Sequence, residues 1–153
     1  MTPAQLAAQS IERSLSGPMW HGPSLIDLIG DVNADQANAK PVAGAHSIWE
    51  LVLHIITWND IVRERIGSPE PVGVTPERDW PKVLDPSPDA WRDTVELLKE
   101  SKRLLADEVR ALPDARLDEL VPGRDYSVAA MLRGVVEHDT YHGGQIAILK
   151  KAG

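Results

Sequence analysis

A chain of 153 residues falls within the size of one domain and is long enough to bury most of the surface its unfolded form exposes. Hydrophobic residues make up 42% and charged residues 25%, close to globular averages, which excludes a disordered chain. The net charge is -7 and the 16 Lys and Arg are scattered among 23 carboxylates, so no cationic surface for nucleic acid is expected.

Cysteine is absent, which excludes disulfides, thiolate ligands and a cysteine nucleophile of the chain's own. Any sulfur chemistry would need an external thiol. No stretch approaches ~20 apolar residues, and the N-terminal segment is interrupted by Gln5, Gln9, Glu12 and Arg13, unlike a signal peptide. The expectation is a cytoplasmic protein with no membrane partner.

In chain order, Thr2-Pro3 supplies an N-cap and a tolerated first-turn proline, and Leu6, Ile11 and Leu15 follow near helical spacing. Gly17-Pro18 interrupts this pattern, and Leu25, Ile26, Leu28 and Ile29 resume it after Gly22-Pro23, which predicts a broken or kinked first helix ending near Gly30. Asp31 to Ala45 reads as connector. Ser47 with Glu50 three residues on is a capping box that opens an apolar helix from Ile48 to Ile66.

Gly67 ends that helix. Pro69, Pro71, Pro76, Pro81, Pro86 and Pro88 follow, a density that predicts a long ordered crossing loop. A third helix is predicted from Asp89 to Leu112, with Trp91, Val95, Leu98, Leu105, Val109 and Leu112 on one stripe and Lys, Arg and Glu opposite. After a turn at Pro122-Gly123, Ser127 caps a fourth helix with Val128, Met131, Val135, His138, His142, Gln145 and Leu149 facing inward.

Four long helices without a strand pattern predict one all-α domain over residues 1–153, a four-helix bundle, and such bundles build metal sites from facing helices. His54 would lie about 10 Å from the start of its helix and His142 about 13 Å from the end of its own. Antiparallel pairing of the second and fourth helices would bring them level. That favours up-down-down-up order, with the proline-rich crossover running between helices two and three.

His138 and His142 stand four residues apart, so both imidazoles leave one helix face and can share an ion. A third ligand must come from another element, and His54 is the candidate, on the Leu51, His54, Trp58, Ile61 strip of the most apolar helix. Packing histidines satisfied by backbone or carboxylate partners are the plain alternative. The segment from His138 to His142 also has the form of the His-Glu-x-x-His signature of zinc proteases, with Asp139 in the general-base place. Asp is one methylene shorter than Glu, and no sheet exists to cradle a peptide.

The stretch from Gly44 to Trp58 (GAHSIWELVLHIITW), followed far downstream by His138-x-x-x-His142-x-x-Gln145-Ile146, resembles the DinB-like superfamily, which includes the YfiT-type metal-dependent hydrolases. The Trp20-His21-Gly22-Pro23-Ser24 block is similar to one branch of it. The resemblance covers nearly the whole chain. It implies a four-helix bundle with one nickel- or zinc-type ion on His54, His138 and His142, frequent homodimers, and relatives that use low-molecular-weight thiols, among them mycothiol-dependent maleylpyruvate isomerase and bacillithiol S-transferases.

Other residues keep two readings. His21 is a fourth ligand, general base or substrate contact, or else a cap or solvent-facing residue. Gln145 orients a nucleophile or hydrogen-bonds within the bundle. Asp139 and Glu137 are expected as exposed helix-face carboxylates, His46 as a loop residue, Trp49, Trp58 and Trp91 as core, and Tyr141 against a neighbouring helix or partner subunit. The expected function is a metal-dependent enzyme, hydrolase or thiol S-transferase, acting on a small electrophile, with His21 and Gln145 as candidate catalytic residues. The alternatives are a non-catalytic metal- or ligand-binding dimer and a metal-free scaffold.

Overall fold

A computed structural model describes residues 1–153 as helices and connecting turns with no strand. The first helix, α1 (Pro3–Ser16), begins at Thr2, whose hydroxyl accepts from Gln5 N while the Gln5 side chain returns to Thr2 N. It stops at Gly17. The apolar run that follows forms a separate short helix, α2 (Leu25–Ile29), and the connector after it a second, α3 (Ala34–Asn38), each opened by its own capping box at Ser24 and Asn33. The first helix is thus broken at Gly17-Pro18 and its second piece ends at Gly30, as expected, because Leu25 and Leu28 of α2 turn aside to pack on a bare stretch of the last helix. The correction is α3, which forms within the stretch from Asp31 to Ala45 that read as connector.

Ser47 and Glu50 form the predicted capping box of α4 (Ile48–Gly67). The proline-rich crossing carries a turn of helix that the sequence reading missed, α5 (Pro76–Asp79), capped by Thr75. Helix α6 (Pro88–Arg110) follows Ser87, then a 3-10 turn at Asp114–Asp118, then α7 (Val128–Ala152) behind Ser127. The crossing loop is pinned at Gly123, where φ is +74° and a Cβ would come within 2.9 Å of the Pro71 ring, so only glycine satisfies both the turn and the close approach.

Helices α1 and α4 each pack against both α6 and α7. Trp49 bonds Thr94, Asn59 bonds Ser101 and Arg63 bonds Glu108, a rising series that makes α4 and α6 parallel. His54 meets His142 while Arg65 meets Tyr126, just before α7, so α7 runs the opposite way.

The apolar interior is two clusters. One gathers α2, α3, the first halves of α4 and α6, and the end of α7; the other gathers α1, the second halves of α4 and α6, and the start of α7. A buried polar layer joins the helices at mid-height. Lys102 Nζ donates to Asp139 Oδ2 at 2.5 Å and to Asn59 Oδ1 at 2.9 Å, and Ser14 Oγ donates to Asp139 Oδ2 at 2.6 Å. Two expectations fail here. Asp139 is 2% exposed and Lys102 1% exposed, whereas the sequence reading put Asp139 and the α6 lysines on solvent faces; each compensates the other's charge.

Candidate metal centre

The three expected histidines meet beside this polar layer. His138 Nε2 lies 3.0 Å from His54 Nε2 and 3.1 Å from His142 Nε2, and one ligand atom from each lies within 4.8 Å of the others. Ligands at ~2.0–2.1 Å from one ion stand about 2.9 Å apart at a right angle and about 3.4 Å apart in a tetrahedron. The two measured edges fall in that interval.

Hydrogen bonds fix which nitrogen carries the proton. His54 Nδ1 donates to the Asp79 carbonyl at 2.6 Å, and His142 Nδ1 donates to Gln145 Oε1 at 2.6 Å. Both acceptors are oxygens, so both Nε2 atoms present lone pairs inward. At most one proton, on His138 Nε2, can sit among the three. A single cation fits all three lone pairs at once, and neutral imidazole is the form that ligates.

The surroundings of His138 and His54 disfavour their charged forms. Burial, followed by the neighbouring His142 and His54 and then Lys102, pushes the His138 pKa down to about 3. Burial also lowers that of His54, with the Asp79 carbonyl bond working against it. Trp80 lies face to face between His54, at 3.8 Å, and His46, at 3.6 Å, and His46 is held in turn by Glu50 at 3.3 Å. This stack sets the plane of the His54 ring.

Asp79 and Trp80 are the site residues the sequence reading missed, because both lie in the proline-rich crossing. A signal existed: Thr75-Pro76 repeats the cap-and-proline start seen at Thr2-Pro3. Trp58, expected in the core, is half-buried instead and donates through Nε1 to Asp79 Oδ1 at 2.8 Å. Trp49 and Trp91 are core, as expected.

The remaining candidates separate. Gln145, expected to face inward, is exposed instead, one turn past the last buried histidine, and it reaches the centre only through its bond to His142. His21 is not brought to the triad; it is exposed and lines a different cleft with Ser14 and Asp139. Glu137 is exposed as expected, and Tyr141 is exposed at the rim of the cavity that opens over the histidines.

That cavity holds about 540 Å³, within the range of small-molecule sites. The three imidazoles lie at one end, Trp58, Val62, Met131 and Val135 form the walls, and Tyr126 and Arg65 also line it. A helical bundle that converges three imidazoles on an apolar cavity has the side chains to hold a metal ion, as facing helices of such bundles can. The chain belongs to the DinB superfamily, whose family model matches residues 21–146. No curated protein and no solved structure matches the chain. No helix is long and apolar enough to cross a membrane.

Proposed function

We infer that the chain is a metal-dependent enzyme that binds a small electrophilic molecule in the cavity beside His54, His138 and His142, as a hydrolase or a low-molecular-weight-thiol S-transferase. The observation that carries this reading is the convergence of three Nε2 lone pairs, two of them with fixed tautomers, at one end of a cavity of substrate size. His54, His138 and His142 would hold a divalent ion, nickel or zinc by its nitrogen donors, which would supply Lewis acidity and lower the pKa of a water or thiol.

The chain's own residues do the rest. Asp79 and Gln145 hold the Nδ1 protons and so keep two imidazoles aimed inward. Trp80 fixes the tilt of His54, while the apolar walls bind the body of the substrate and exclude water. The chain has no cysteine, so a thiol nucleophile would come from a cosubstrate. His21 lies in another cleft, so the chain would offer an ion three imidazoles and no fourth histidine, a ligand set that favours turnover over a closed structural site.

Elemental analysis of protein purified without a nickel column tests the site. About one equivalent of metal in the wild type, lost in His54→Ala and His142→Ala, supports it, and thiol-transfer and hydrolysis screens on the loaded protein follow. Absence of metal together with no thermal shift on adding zinc, nickel or manganese would sink the reading. A metal that binds tightly but exchanges no ligand would favour the non-catalytic binding module, for which a homodimer measured by light scattering is the expected state.

A further inference from the structure

Arg65 stands out among the chain's cations. It is 6% exposed and follows His54 by eleven residues, close to three helical turns, so it shares the same face of α4 about 16 Å along the axis. Its Nε and Nη2 donate to the Val72 carbonyl at 3.3 and 3.2 Å, and its Nη1 donates to Tyr126 Oη at 3.0 Å. Every partner is neutral.

The other buried and half-buried cations differ, and so does the exposed Arg110. Arg63 pairs with Glu108, Arg78 with Glu64, Arg110 with Glu12, and the buried Lys102 with Asp139. Arg65 has no carboxylate within ion-pair reach, and a further charge acting on it is the cation Arg124. A buried charge without a counterion is strongly unfavourable, and a guanidinium does not escape by losing its proton. Of its five N–H groups, three serve Val72 and Tyr126, and the Tyr126 hydroxyl, being an acceptor in that bond, keeps its own proton free to donate.

The distance to the histidines is bounded. Arg65 Cζ lies 5.4 Å from the Trp58 ring centroid, which lies 6.1 Å from that of His138, so the guanidinium stands at most about 11.5 Å from that imidazole. Between them run the apolar walls of Trp58, Val62 and Met131.

We propose that the cavity takes a small organic anion, its carboxylate bound by Arg65 and Tyr126, its apolar body along Trp58, Val62 and Met131, and its reactive end at the three histidines. The planar fork of arginine suits a carboxylate, and the short span admits a short-chain acid and not a macromolecule. The proposal names the substrate class of the reading above and rests on it.

Calorimetric titration of metal-free and zinc-loaded protein with hexanoate, hexanamide and butyl phosphate tests it. In metal-free protein no ion competes for the carboxylate, so Arg65 alone can favour it. Hexanoate should bind at least about tenfold more tightly than hexanamide in both forms, the factor expected of one charge-assisted contact. The preference should vanish in Arg65→Gln and persist in part in Arg65→Lys, with zinc stoichiometry unchanged in both.

Equal binding of hexanoate and hexanamide by metal-free wild type overturns the proposal, and this comparison decides even if Arg65→Gln does not fold. A preference that survives in folded Arg65→Gln overturns it too, and tighter binding of butyl phosphate overturns the carboxylate assignment. Failure to bind zinc with the hexanoate preference intact would sink the metal reading and leave the anion site standing.

Discussion

Replacing Gln145 with leucine removes the oxygen that holds the His142 Nδ1 proton while leaving all three imidazoles in place. Partners of this kind are worth about 10- to 100-fold in metal affinity. The bond is short, 2.6 Å, but Gln145 is exposed, so water can take over as acceptor and the loss should fall near tenfold, about 1.4 kcal/mol. Gln145→Glu should bind at least as tightly as wild type, because a carboxylate accepts the same proton and makes the imidazole more basic. His142→Ala removes a ligand outright and should lose far more than either. Competition against a chelator of known zinc affinity at pH 7.5 reads all three. The reasoning is refuted if Gln145→Leu stays within twofold of wild type, or if Gln145→Glu weakens binding as much as leucine does.

The buried pair predicts a double-mutant cycle: Lys102→Met alone should cost about 3–5 kcal/mol by stranding Asp139, and Lys102→Met with Asp139→Leu should recover most of it, as urea unfolding will show. The depressed His138 pKa makes metal-free protein acid-sensitive. The unfolded chain binds that proton near 6.5 and the folded one only near 3, so stability present above pH 6.5 is lost as pH falls towards 3, by about 1.4 kcal/mol per unit. Urea unfolding at several pH values should show a shallower slope in His138→Leu. Trp80→Ala removes the face against His54 and, at about 0.5–1.5 kcal/mol for such a contact, should weaken zinc binding about two- to tenfold by the same competition assay, with little change in the thermal melt of the metal-free protein.

Much of this molecule is legible in its sequence because the information is local. Ser47 with Glu50 and Ser127 before Val128 are complete capping signals within a few residues, so the starts of α4 and α7 needed no tertiary knowledge. The four-residue spacing of His138 and His142 places both rings on one face through helix geometry alone, and His54 stood out as a polar residue within an apolar run. What the sequence left open is decided between elements. Asp139 looks like any surface carboxylate until Lys102, 37 residues away, is folded against it. Trp80 and Asp79 belong to a loop whose prolines exclude long helix but do not say where the loop lands; docking over α4 makes them the neighbours of His54. The neutral partners of Arg65 are equally invisible in one dimension, since lacking a counterion is a property of every residue packed around it. Periodicity and caps determine the helices, whereas desolvation and pairing, which set the chemistry of the site, exist only once the chain has closed on itself.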